Sequence, residues 1–237
     1  MLEIIKAIIY GIVEGITECL PISSTGHLIL VERLIPFKQT SEGFFDMFDV
    51  VIQLGAILAV VVLFWNKIWP FYLKKNKQPK KGGIVKSAKD PAMGNVALSM
   101  DAFWMWVKIV VACIPAVVYG LLFDDAVSEA FKKEIGTSGV TVQVIVVAVM
   151  LVLVGVLFFV VENWNKNRVP TTTTLSQLTY RDALIIGFCQ LVAAALPGTS
   201  RSGATILGAI MIGISRTVAA EFTFFLAIPV MFGASLL

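Results

Sequence analysis

Two acidic residues near the start of the chain have the type and spacing of a metal-binding pair. Glu14 and Glu18 are four residues apart in an otherwise apolar stretch, which places both carboxylates on one face of a helix. The two charges repel each other, and a divalent cation, Mg²⁺ or Ca²⁺, that bridges them to an anionic ligand would relieve this repulsion. A solvated polar face and a pair neutralised by protonation are the alternative interpretations.

Hydroxyl and imidazole side chains follow directly after Pro21. Ser23, Ser24 and Thr25 can cap a helix that begins there, and the free N–H groups of a helix start bind anions. His27 is the only histidine of the chain. It lies one turn after Ser24 and could activate that hydroxyl as a nucleophile, or act alone as a general acid or base. A cap without a ligand and a packed histidine are the plainer alternatives.

A second cluster, near the other end of the chain, contains an arginine among small residues. Arg201 stands between Ser200 and Ser202, shortly after Gly198, in another apolar stretch. A guanidinium inside a membrane is costly unless it is paired, and its planar fork fits phosphate or carboxylate oxygens. The neighbouring Gly and Ser residues allow a phosphate to approach the backbone closely. The alternative is a purely structural ion pair with one of the two glutamates.

The composition predicts an integral membrane protein. Hydrophobic residues make up 57% of the 237 residues, and the mean hydropathy is +0.86, far above that of soluble domains. We expect full spans at residues 48–65, 102–122, 140–161 and 222–237, because each is long and apolar enough to cross a bilayer. The net charge is only +3, and we expect no nucleic-acid partner.

The two polar clusters lie inside segments that resemble each other. Residues 7–30 and 183–206 align without gaps, and each consists of an apolar half-helix, a break that contains proline, and a second apolar half-helix. Charged residues at their centres exclude simple spans, so we predict two re-entrant hairpins in an all-α fold, the first at 5–34. The aligned pairs include Gly11 with Gly187, Glu14 with Gln190, Ser23 with Thr199, and Ser24 with Ser200.

Charged loops predict the orientation of these segments. Residues 74–89 are rich in lysine, which marks the cytoplasmic side, whereas the loop 123–139 is mostly acidic. The hairpins then enter from opposite sides, as inverted-topology repeats do. We interpret 1–237 as a single transmembrane domain, with repeat one at about 1–122, a connecting span at 140–161 and repeat two at about 183–237. Repeat two lacks a counterpart of span 102–122, so we expect the natural protein to continue for one more span.

At the two breaks the chain resembles the undecaprenyl-diphosphatase family of bacteria, of the bacitracin-resistance type. The resemblance rests on EGITECLPISSTGHL (14–28), QLVAAALPGTSRSGATI (190–206) and SRTVAAEFTFFLAIP (215–229). It implies hydrolysis of undecaprenyl diphosphate to the monophosphate, which recycles the lipid carrier of cell-wall synthesis, and dependence on a divalent cation. It implies an acidic motif and two catalytic loops, formed by Glu14 and Glu18, by Ser23, Ser24 and His27, and by Ser200, Arg201 and Thr205. Cys19, where an aromatic residue is common in the family, is a mild departure.

From the residues and the resemblance together we predict a phosphatase of the bacterial cytoplasmic membrane. The inverted repeat gives no preference for a side, and the resemblance implies an active site open to the outer face. Arg201 and the loop amides would bind phosphoryl oxygens, and either Ser24 or a water molecule would attack, assisted by His27. Other substrate contacts are expected from Ser23, Thr25, Ser200, Ser202, Gly198 and Thr205. The rivals are an inverted-repeat transporter or flippase of anions or lipid phosphates, and a structural membrane subunit. The sequence leaves the oligomeric state open, a homodimer included.

Overall fold

The computed structural model describes residues 2–37, 43–73, 96–136, 140–196 and 198–236. Within these ranges the chain is almost entirely helical, with one short 3₁₀ helix (Leu175–Gln177) and one antiparallel pair of three-residue strands. The elements in chain order are α1 (Leu2–Glu18), α2 (Ser24–Leu34), α3 (Phe44–Leu63), α4 (Trp65–Ile68), β1 (Phe71–Leu73), β2 (Val96–Leu98), α5 (Met100–Gly136), α6 (Val140–Asn165), α7 (Tyr180–Ala195), α8 (Arg201–Met211) and α9 (Arg216–Leu236).

Each of the two similar segments forms a pair of helices separated by a short break. The break between α1 and α2 contains Ser23 with φ at +63°, and the break between α7 and α8 contains Gly198 with φ at +82°. These left-handed conformations turn the chain back, so that α1 packs against α2 and α7 packs against α8. The predicted helix breaks are therefore present. Re-entry into a bilayer and the inverted relation of the hairpins stay predictions.

Three helices in the described part of the chain are long and apolar enough to cross a membrane. They are Met100–Leu122 within α5, Val144–Asn165 within α6 and Arg216–Ser235 within α9, and they match three of the four predicted spans. The fourth falls on α3, whose apolar part, Met47–Leu63, is shorter. Large apolar side chains along these helices are exposed, as expected of surfaces that face lipid. The prediction of an all-α, polytopic membrane protein is confirmed.

One predicted loop is wrong. Residues 123–139 were expected to leave the helix, but α5 continues to Gly136. The physical reason is that polar residues end a membrane span without ending a helix, and 123–135 contain neither glycine nor proline. Three predicted features lie outside the described residues. They are the lysine-rich loop at 74–89, the end of the acidic loop at 137–139, and Pro197.

The hydrophobic core lies behind the second hairpin. It is formed mainly where α5 packs against α7 and where α8 packs against α6, α7 and α9. The first hairpin packs through α1 onto α3, which in turn packs onto α9. Side chains with no exposed surface at the centre of the core include Ile109, Ala112, Ile186, Phe222 and Phe225. The second break is therefore held by a closely packed scaffold.

The helices α7 and α5 pack closely at Gly187. A Cβ atom at this position would lie 2.2 Å from the backbone oxygen of Ala112, whereas a Cβ atom at the aligned Gly11 would meet nothing within 4 Å. We expect Gly187→Ala to destabilise the protein by about 1–3 kcal/mol, because backbone cannot move aside as a side chain can. Gly11→Ala is the matched control and should be neutral or slightly stabilising, since alanine favours a helix. Thermal unfolding in detergent measures both, and equal midpoints would contradict the packing.

Candidate active site

The breaks of the two hairpins meet. The guanidinium of Arg201, the first residue of α8, forms an ion pair with the carboxylate of Glu18, the last residue of α1. The Ser202 hydroxyl also donates to the backbone oxygen of Leu20, at 3.4 Å. Both charged side chains are largely buried, with 19% and 14% of their surface exposed. Because a buried guanidinium needs an acceptor, this contact joins the two clusters that the sequence singled out.

A small cavity of about 180 Å³ opens between the two breaks. All but one of its lining side chains are polar, and they come from both hairpins and from α3. The lining consists of Glu18, Ser23, Ser24, Thr25, Gln53, Thr199, Ser200, Arg201, Ser202 and Met231. The size and the hydroxyl-rich wall suit a phosphate group, and the guanidinium supplies the opposite charge.

The start of α2 lies on the wall of this cavity and has no side-chain cap from its N-cap residue. Ser23 is the N-cap residue, but its side chain makes no capping hydrogen bond, so the expected hydroxyl cap is absent. Its backbone has a positive φ, which is unusual for a residue other than glycine. The first amides of α2 therefore lack a side-chain acceptor, which is the arrangement that binds anions.

Ser24 and His27 do not form the predicted pair. The Ser24 hydroxyl donates to Glu18 Oε2 at 2.9 Å, while His27 Nδ1 lies 2.8 Å from the backbone oxygen of Ser23. A helical side chain leans back toward the preceding turn, so position 27 reaches the carbonyl at 23 before it reaches the hydroxyl at 24. A carbonyl partner requires a proton on Nδ1, so that whenever the ring is uncharged Nε2 is its acceptor nitrogen. His27 does not line the cavity.

The second break is ordered by its own hydrogen bonds. Ser200 caps α8 by accepting from the Gly203 amide at 3.1 Å, and its hydroxyl lies 3.2 Å from that of Ser202. Gly198 shapes the turn, because a Cβ atom there would lie 2.8 Å from Val147 Cα. The cap and the turn together aim Arg201 at the first hairpin.

Thr205 has no exposed surface and does not line the cavity. Its hydroxyl donates to the backbone oxygen of Arg201 at 2.9 Å and accepts from the Thr223 hydroxyl at 3.0 Å. It therefore ties the first turn of α8 to α9. Of the predicted substrate contacts, Gly198 and Thr205 do not line the cavity. Ser23, Thr25, Ser200 and Ser202 do.

Glu14 is fully buried next to the cavity. Neither of its carboxylate oxygens meets the geometry of a hydrogen bond with any described residue. The carboxylates of Glu18 and Asp49 lie close enough to repel it, and the Ser24 hydroxyl and the Arg201 guanidinium lie close enough to attract it. No group of three or more His, Cys, Asp or Glu side chains in the described ranges could hold a metal ion alone. Mg²⁺ commonly uses one or two carboxylates and completes its shell with substrate phosphate and water. Glu14 and Glu18 could therefore supply the one or two carboxylates that a protein contributes to a Mg²⁺ site.

Comparison with known proteins decides the family. Residues 7–237 match the model of the family described as bacitracin resistance protein BacA. The chain belongs to this family.

Three similar relatives of this BacA-family chain are named undecaprenyl-diphosphatase. That of Enterococcus faecalis is 51% identical over 234 residues, which cover 99% of this chain and 74% of the relative. Those of Desulfitobacterium hafniense and Acetivibrio thermocellus are each 52% identical over 237 residues, covering all of this chain and 74% and 76% of the relatives.

The BacA-family chain also has cavity residues that sequence reasoning missed. Gln53 of α3 lines the cavity, and its amide donates to Asp49 Oδ2 at 2.9 Å. Both are polar residues one turn apart at the start of a predicted apolar span. Intramembrane polar residues mark functional sites by default, so this pair could have been found. Met231 of α9 gave no such signal.

Proposed function

We propose that this chain hydrolyses undecaprenyl diphosphate to undecaprenyl phosphate and inorganic phosphate. One observation carries the proposal: Arg201 of one hairpin meets Glu18 of the other on the wall of a hydroxyl-rich cavity of phosphate size. Membership of the BacA family and the names of its relatives support the same reaction. They do not favour the transporter alternative.

The ion pair supports a simple binding step. Without substrate, Glu18 neutralises the guanidinium of Arg201, as a largely buried charge requires. When the diphosphate enters, its terminal phosphate takes over the guanidinium and accepts hydrogen bonds from the hydroxyls of the cavity and from the first amides of α2. The cavity has no room for a polyprenyl tail, which would lie along the apolar, lipid-facing helices. Positioning and charge neutralisation are the main requirements of phosphoryl transfer.

The hydrogen bond from Ser24 to Glu18 supports a hydroxyl nucleophile. In this route Ser24 Oγ attacks the terminal phosphorus, the bond from phosphorus to the bridging oxygen breaks, and undecaprenyl phosphate leaves. The hydroxyl proton passes to Glu18 Oε2, and water then hydrolyses the phosphoserine to release phosphate. The competing route uses water directly, with His27 Nε2 as base. Phosphorylated Ser24 trapped by acid quench supports the first route, and its absence during turnover supports the second.

A divalent cation, Mg²⁺ or Ca²⁺, is part of the proposal. Glu14 and Glu18 would hold it, since the two carboxylates lie within repulsive range of each other and neither Glu14 oxygen meets a hydrogen-bond partner among the described residues. When bound, the cation would neutralise phosphoryl charge as that charge develops. Without it, Glu14 stays buried beside Glu18 with no hydrogen-bond partner for its oxygens among the described residues.

The membrane setting is proposed in the same terms. We place the protein in the bacterial cytoplasmic membrane, with the cavity opening to the outer face, as the resemblance implies. Three apolar spans support a multi-pass membrane protein. The homodimer stays a prediction of the sequence.

Phosphate release from a polyprenyl diphosphate in detergent tests the reaction. We expect one phosphate per lipid with Mg²⁺ present, a loss of activity with EDTA and its return when Mg²⁺ is added in excess. Undecaprenyl monophosphate is the control substrate and should release none. No release in any condition would sink the proposed hydrolysis. Equal phosphate release with and without EDTA would support the hydrolysis and contradict the proposed role of the divalent cation.

A further inference from the structure

A second cavity, of about 370 Å³, lies where two apolar spans end. It shares no lining residue with the candidate active site. The span within α6 ends at Asn165, the span within α9 begins at Arg216, and both residues line this cavity. Trp164 adjoins it, and tryptophan is enriched where membrane meets water. The cavity therefore opens at the level of the lipid headgroups.

Two guanidinium groups line this cavity. Arg168 lies over the ring of Trp164, 3.8 Å from the ring centroid, and it has no carboxylate partner among the described residues. Stacking holds the guanidinium in place and leaves its N–H groups free to bind an anion. Arg216 is paired with Glu162, to which its Nε donates at 3.1 Å. The cavity thus carries one uncompensated positive charge and a second that a carboxylate neutralises.

Most of the remaining lining is apolar, although Asn165, Thr171 and Ser215 also contribute polar groups. The apolar parts come from the end of α8, from the turn that follows it and from the segment after Arg168. The apolar lining residues are Val169, Pro170, Ile210, Met211, Ile212 and Ile214. Cationic and apolar surfaces side by side match a ligand that is itself charged at one end and apolar at the other.

We propose that this cavity binds the phosphate headgroup of an anionic phospholipid. The phosphate would pair with Arg168, and the glycerol and upper acyl carbons would cover the apolar wall. A free phosphate ion matches the guanidinium but leaves the apolar wall in water, so the lipid is the better match. Basic pockets between transmembrane helices recognise headgroups by the same chemistry. A bound lipid would contact the end of α8, the helix whose first residue is Arg201.

Native mass spectrometry of the detergent-solubilised chain tests this site. The protein is titrated with phosphatidylglycerol, with phosphatidylcholine and with inorganic phosphate. We expect phosphatidylglycerol to bind more tightly than phosphatidylcholine. Arg168→Gln should weaken its binding about fivefold, which corresponds to one basic residue at a membrane surface. Glu162→Gln should strengthen it by a similar factor, because it frees Arg216. Both positions are exposed, so neither change threatens the fold.

Lys166→Gln is the matched control. Lys166 has the same charge and lies on the same segment, but it does not line the cavity, so phosphatidylglycerol binding should stay unchanged. Equal binding of the two lipids would overturn the proposal. An equal loss in the Lys166 and Arg168 variants would overturn it too, since it would indicate general surface charge. Displacement of the lipid by inorganic phosphate at similar concentration would identify a free-anion site and reject the lipid.

Discussion

Replacement of Arg201 by alanine is expected to lower phosphate release by roughly 10³-fold or more, because an arginine on a transferring phosphoryl group contributes on that order. Arg201 is the only cationic side chain on the described wall of the cavity, so no neighbour can take its place. The loss should fall on kcat as well as on KM, since the developing charge of the transition state needs the guanidinium most. Steady-state kinetics with a polyprenyl diphosphate measures both.

Two variants separate this role from a structural one. Arg201→Lys keeps the charge but loses the planar fork, and it should recover only part of the activity. Lys67→Ala removes the cation of a different ion pair, with Glu221 at 2.7 Å, and should leave kcat unchanged. If Arg201→Ala loses activity only in proportion to a loss of folded protein, or if Lys67→Ala loses as much, the assignment of Arg201 is wrong.

Glu14→Gln is expected to lower activity by roughly 10²-fold while making the metal-free protein more stable. A neutral amide of the same shape binds a cation poorly, so activity falls. In alkaline buffer, where both carboxylates are ionised, the same change also removes a buried charge whose oxygens meet no hydrogen-bond partner among the described residues and that faces a second carboxylate. We expect about 1–3 kcal/mol of stabilisation there from this relief. Phosphate release and thermal unfolding in EDTA measure the two effects.

The opposite signs of these effects distinguish a functional glutamate from a structural one. Glu32→Gln is the control, because Glu32 is an exposed glutamate of α2 outside the cavity, and it should change neither quantity. Full activity in Glu14→Gln would remove Glu14 from the site. A loss of stability in EDTA would show that its carboxylate has a structural partner.

The sequence predicted those parts of the fold that depend on the residue types within a single segment. Long apolar stretches predict α5, α6 and α9, and glycine, proline and hydroxyl residues predict the breaks after α1 and α7. The sequence could not predict that α5 runs to Gly136, because charged residues leave the membrane without leaving the helix. It also could not show that Gly187 packs against Ala112 while the aligned Gly11 has space. The two similar segments have different neighbours in the fold, so only the tertiary structure shows whether a side chain fits in place of each glycine.

The candidate site was predictable as a set of residues but not as a network of contacts. Charge and hydroxyl content inside apolar segments pointed to Glu14, Glu18, Ser24 and Arg201. Which acceptor each side chain uses depends on distances of a few tenths of an ångström, which spacing along a helix does not give. Ser24 therefore bonds to Glu18 where His27 was expected.

A structure with Mg²⁺ and a polyprenyl diphosphate analogue that resists hydrolysis tests the central claim, that the two breaks form one phosphate-binding chamber. We predict the terminal phosphorus between the Arg201 guanidinium and Ser24 Oγ, with the cation on Glu14 and Glu18. A diphosphate bound elsewhere, with Arg201 still paired to Glu18, would contradict it.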